Sequence, residues 1–180
     1  MALWGNTDAD EAKPKWLTSA QKADVFATDK GWVQLNGKGL EEVICSIGGL
    51  STAIAGSDIN TSAFVGAAFD VSAGGNIDVR LTFNEKVTVT GSPTIAITNS
   101  QAGGGSAASL TATYQSGSSS NKLVFRHTIG AAGSTVSADD VLSIASQNIA
   151  LAGGTIKDTG TTVNSGVAVP AGTATMTAVA

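Results

Sequence analysis

The 180 residues predict an all-β chain: a two-sheet β-sandwich over 63–180, preceded by an extended N-terminal arm and a β-hairpin over 1–62. Three observations carry this. Residues 76–83 alternate strictly, with Ile77, Val79, Leu81 and Phe83 on one side and Asp78, Arg80 and Thr82 on the other. That is the period of a half-buried antiparallel strand. Turn signals built from Gly, Ser, Asn and Pro recur about every 8–12 residues through the second half, the spacing of a sandwich. Only 13% of residues are charged and 22 are glycine, a composition that suits short strands joined by many turns.

The elements follow in order. Residues 1–15 form a polar stretch with two apolar anchors, Leu3 and Trp4, and with Pro14; neither helical nor strand periodicity is present, so it reads as extended. Residues 17–27 open on Leu-Thr-Ser and fit a short helical turn. Residues 31–35 (GWVQL) and 40–47 (LEEVICSI) are strands, joined through Asn36-Gly37-Lys38-Gly39, where Asn and Gly tolerate positive φ. Residues 51–62 read as a linker or a first edge strand. Strands are then expected at 76–83, 86–90, 94–98, 110–115, 122–129, 141–144, 148–151, 155–156 and 163–169. Burying the inward rows of two sheets is enough for a unit of this length to fold by itself.

Composition also divides the chain. Residues 1–60 hold 13 charged side chains and residues 61–180 hold 11, and all three tryptophans, Trp4, Trp16 and Trp32, fall in the first 32 positions. A lone hairpin is marginal in water. Three indoles on an arm and hairpin too thin to hide them point to a surface supplied by a neighbour; the alternative is that they fold back on the second part of the same chain.

The second part resembles the bacterial immunoglobulin-like repeats of large surface adhesins. The resemblance rests on Ile77-Asp78-Val79-Arg80-Leu81-Thr82-Phe83-Asn84-Glu85, Val87-Thr88-Val89-Thr90-Gly91-Ser92-Pro93-Thr94, Ala112-Thr113-Tyr114, Ser116-Gly117-Ser118 and Leu123-Val124-Phe125. It continues through Ser143-Ile144-Ala145, Ile149-Ala150-Leu151 and Gly153-Gly154-Thr155-Ile156-Lys157-Asp158, so it spans 75–169. It implies an Ig-like β-sandwich and no catalysis. Adhesins string many copies in tandem, whereas this sequence carries one and opens without a basic, apolar secretion leader. The first part resembles structural proteins of T4-like phages of marine cyanobacteria, through Met1-Ala2-Leu3-Trp4-Gly5-Asn6, Lys13-Pro14-Lys15, Gly31-Trp32-Val33, Glu42-Val43 and Ile47-Gly48-Gly49-Leu50.

Candidate chemistry is sparse. The net charge is −4 with 10 Lys and Arg in total, a poor footing for phosphate contact, so no nucleic-acid partner is expected. No run of 18 apolar residues occurs, so no membrane insertion is expected. Cys45 is the single cysteine and sits in an apolar run; it reads as a buried small hydrophobe. His127, the single histidine, lies mid-strand with no nucleophile motif about it and reads as structural. Asp139, Asp140 and Asp158 lack the Asp-x-Asp-x-Asp spacing of a calcium loop and read as turn caps. Gly103-Gly104-Gly105 has no following Lys-Ser/Thr and is no phosphate loop. Glu41 and Glu42 read as a solvated face. No metal and no cofactor is expected, and the chain is not expected to be an enzyme.

The resemblances imply a virion location and a structural role: a phage head decoration or cementing subunit, bound to the major capsid protein lattice, to other virion proteins or to copies of itself. Its expected partner-binding residues are Leu3, Trp4, Trp16, Trp32, Val43 and Ile44. The alternative is a tail, neck or fibre module whose Ig-like domain binds host-surface polysaccharide or a receptor; exposed aromatics would mark it.

Overall fold

A computed structural model describes residues 13–54, 56–130 and 135–180. It is mostly strand with two short helices, and the all-β expectation holds.

The first part begins with α1 (Ser19–Asp24). Thr18 caps it reciprocally: its Oγ1 accepts from Gln21 N at 3.3 Å, and Gln21 Oε1 accepts from Thr18 N at 2.9 Å. None of its residues is buried, so it serves as a connector. Next come β1 (Phe26–Thr28), β2 (Gly31–Leu35), β3 (Glu41–Ser46) and α2 (Leu50–Ala53). The hairpin β2–β3 forms across the predicted Asn-Gly turn, and it gains a third antiparallel strand in β1. A three-residue strand carries no readable period, which is why β1 was invisible in the sequence. Gly31 fits the tight crossing: with φ +121°, an added Cβ would lie 2.1 Å from Cys45 O.

The second part contains β4 (Ile59–Phe64), β5 (Ala68–Asp70), β6 (Gly75–Thr90), β7 (Thr94–Asn99), β8 (Ser109–Ser116), β9 (Ser120–Ile129) and β10 (Val141–Ser143). After these come β11 (Gln147–Asn148), β12 (Thr155–Asp158), β13 (Ala168–Val169) and β14 (Met176–Val179). One layer runs β4-β6-β9-β8 and the other β7-β10-β14-β5, with β7 and β8 also paired. Taking β4 and β5 as one first strand that crosses between layers through residues 65–67, the seven strands order as 1-2-5-4 against 3-6-7. This is the arrangement of an immunoglobulin-type sandwich. The inward rows of both layers make one core, including Ile77, Leu81, Phe83 and Phe125 from one side and Ile97, Leu142, Met176 and Ala178 from the other.

Two details differ from the sequence reading. Residues 76–83 and 86–90, expected as separate strands, form the single 16-residue β6. The break expected between them at Asn84-Glu85 is instead a bulge in the β6–β9 ladder between Thr82 and Val87, and the strand continues. The strand continues because Asn84 is held by Asp58: its N–H donates to Asp58 O at 3.0 Å, and its Oδ1 accepts from Asp58 N at 2.7 Å. The expected boundary at 62/63 falls inside β4, whose Phe64 already belongs to the sandwich core.

β1 meets the sandwich by one parallel pair, Ala27 opposite Glu85 on β6. The first part is therefore a small three-stranded module docked on the bulge of β6.

Candidate functional site

The six side chains expected at a partner surface separate into three groups. Leu3 and Trp4 lie outside the described residues. Trp32 corrects the expectation: it is fully buried against its own chain, in a cluster with Val25, Ala27, Leu50 and Ile54. Lys13 covers the ring, its ammonium 5.8 Å from the centroid and donating to Lys22 O at 2.9 Å. The hairpin is thin by itself, but α2 and β1 supply the wall that sequence arithmetic assigned to a neighbour. Ile44 is half-buried and packs on the same cluster. Trp16 and Val43 are exposed, at 64% and 47%. Leu40, at 63%, joins them. It was missed because it reads as the first residue of a strand, whereas it lies at the turn.

The geometry of β3 sets what this surface can do. Asn36 N–H donates to Leu40 O at 2.8 Å, closing the turn. In an antiparallel hairpin the bonded pairs alternate, so Gln34 and Glu42 carry the next exchange. Glu41 and Val43 then turn their N–H and C=O outward. Among the described residues nothing pairs with that outer edge. Its two acids are engaged by their own chain: Glu41 forms an ion pair with Lys86, and Glu42 accepts from Asn36 Nδ2 at 3.2 Å. A bulge at Ile44 limits the regular stretch to Leu40–Val43.

The other edges are protected. Residues 166–173 run along β4, with Gly166 N bonded to Ser57 O and Ser62 Oγ to Pro170 O, both at 2.7 Å. Residues 163–165 cover β12 through Asp158 N to Val163 O at 2.9 Å and Ser165 N to Ile156 O at 3.0 Å. β5 is three residues long and ends in a turn in which Asp70 accepts from Ser72 and Ala73.

The groups with catalytic potential are occupied structurally. His127 Nδ1 donates to Thr111 O at 2.8 Å. Cys45 is half-buried opposite Trp32 in the hairpin. Asp140 is buried and accepts from Gly103 N at 2.7 Å, Ser137 N at 2.9 Å and Asn99 Nδ2 at 2.9 Å. Burial by itself would raise its pKa, but the hydrogen bonds from Ser137, Asn99, Gly103 and Gly105 outweigh it and hold the carboxyl below the usual range. Asp158 accepts from Gly160 N, Thr161 N and Thr161 Oγ1 and caps that turn. Among the described residues no three His, Cys, Asp or Glu side chains are grouped to hold a metal ion.

The aromatics of the sandwich lie inside. Phe64, Phe69, Phe83 and Phe125 are buried. Tyr114 stands edge-on to Phe125, ring centroids 6.0 Å apart, with its hydroxyl oxygen accepting from Ser118 N at 2.8 Å. The chain matches no known family, no curated protein and no solved structure.

Proposed function

We propose that this protein is a structural subunit of a phage particle, a decoration or cementing subunit of the head. In this reading the N-terminal module docks on the shell and the Ig-like sandwich projects outward. The location in a virion comes from the sequence resemblances. One structural observation supports docking through this end: among the described residues nothing pairs with the outer edge of β3, and the largest exposed apolar side chains, Trp16 and Leu40, belong to the same module.

Unpaired strand edges recruit strands, so the occupant is an extended segment of the major capsid protein added to β3 at Leu40–Val43. Main-chain bonds supply the contact, and Leu40 and Val43 gain a covered neighbour. Many copies on one lattice make the total cohesion large even where each contact is modest. The reading of the sandwich as a sugar-stacking module receives no support from its buried phenylalanines.

Incorporation into particles tests this. Val43→Pro removes an N–H that points outward, and Val43→Lys places a charge in the seam. Both variants are expected to fold and to be lost from purified particles, while wild-type protein is present at a stoichiometry comparable to the shell protein. Normal incorporation of both folded variants overturns the docking mode. A stoichiometry of a dozen or fewer copies overturns the head location.

A further inference from the structure

Among the described residues, buried apolar side chains form two clusters, with Phe26 and Val33 buried outside both. One is the sandwich core; the other is the small group around Trp32 in the N-terminal module. Polar side chains line part of the seam between them. Among the described residues, strand pairing crosses it at Ala27–Glu85. Two ion pairs flank it, Lys86 with Glu41 and Lys122 Nζ with Asp24 Oδ1 at 3.4 Å. Both have the acid on the module and the lysine on the sandwich, and both are partly exposed. A cavity of about 200 Å³ opens at the same junction, lined by Thr28, Asp29, Ser51, Glu85, Lys86 and Asp158 among others.

A seam with a gap in it, between two separate apolar clusters and flanked by exposed ion pairs, gives little cooperativity across it. Exposed ion pairs are screened by salt. The module is also far below the size at which a domain becomes stable by core burial alone, so it is the weaker of the two units. We propose that the N-terminal module is a separate folding unit latched to the sandwich by Lys86–Glu41 and Lys122–Asp24, and that raised ionic strength loosens this latch. The proposal goes beyond the docking reading and holds whichever partner β3 takes.

The chain supplies its own reporter. Trp4, Trp16 and Trp32 all belong to the first part, and the sandwich has no tryptophan. Urea unfolding of the full chain is followed by tryptophan emission for the module and by far-ultraviolet circular dichroism, dominated by the sandwich strands. The emission midpoint is expected at lower urea than the dichroism midpoint. Raising sodium chloride to about 0.5 M should widen the separation. The double variant Lys86→Met/Lys122→Met should lower the emission midpoint by roughly half a molar and abolish its salt dependence, leaving the dichroism midpoint in place. Superimposed transitions at every salt concentration overturn the proposal, as does a separation that responds neither to salt nor to the double variant. Native-state hydrogen exchange provides a measurement free of any substitution. Amides of β2 should exchange through an opening that leaves β6 and β9 protected; one common opening for all three overturns the two-unit description.

Discussion

The sandwich and the N-terminal module deal differently with the same two liabilities, aromatic surface and open strand edges. The sandwich buries Phe64, Phe69, Phe83 and Phe125 and covers β4 and β12 with residues 163–173. The module buries Trp32 but leaves Trp16, Leu40 and Val43 outside, and among the described residues β3 ends the sheet. The difference follows from length. Two layers enclose a core and leave chain to spare for edges; three short strands and two short helices enclose seven buried apolar residues among the described ones. What the short unit does not close is the surface that the proposed docking would use.

The largest effects should separate the units. Phe125→Ala empties the centre of the sandwich and is expected to cost about 3–5 kcal/mol. Its dichroism midpoint in urea should fall by the corresponding amount. Trp32→Ala removes the centre of the other cluster at a similar cost, but confined to the module; the dichroism transition should remain near the wild-type position. An equal fall in both variants would merge the two units into one.

Asp140→Ala comes next. It strands the Gly103, Ser137 and Asn99 donors and should destabilise the sandwich by about 1–3 kcal/mol, read from the same urea transition. The pH dependence has a definite sign. The folded carboxyl of Asp140 titrates below its unfolded value, so its contribution is complete above the unfolded pKa of about 3.9 and is lost as pH falls through the folded one. Acid unfolding of the sandwich below about pH 4 should therefore be blunted in Asp140→Ala relative to wild type.

The smallest stability effect belongs to the surface. Trp16→Ala should leave both urea midpoints within about 0.5 kcal/mol of wild type. If the module is the docking end, the same variant should nonetheless weaken attachment to particles, because exposed tryptophans anchor protein contacts disproportionately. Measured together, stability and attachment distinguish a docking tryptophan from an idle one.

Much of the sandwich was legible. Strict alternation in 76–83 set the face of β6, and the inward residues it named are buried, although Thr82 from the other face is buried as well. The Asn36-Gly37 turn set the hairpin. β14 was missed although Met176 and Ala178 alternate inward around Thr177; the pattern is short and lies beyond the resemblance, which ends at 169. β5 was missed for the reason β1 was. The candidate surface was half legible. Val43 and Trp16 are exposed as expected, but Trp32 is not. Sequence shows how much apolar surface a segment owns and not how much wall will fold around it.

The sequence by itself determined the all-β class, the inward row of each long strand and the concentration of indoles in the first third, because these follow from local periodicity and composition. Only the tertiary structure decided that Trp32 lies under α2, that Asn84-Glu85 bulges where β1 meets β6, and that β3 ends the sheet among the described residues. Each of these depends on which distant segment arrives alongside, and local periodicity carries no information about distant partners.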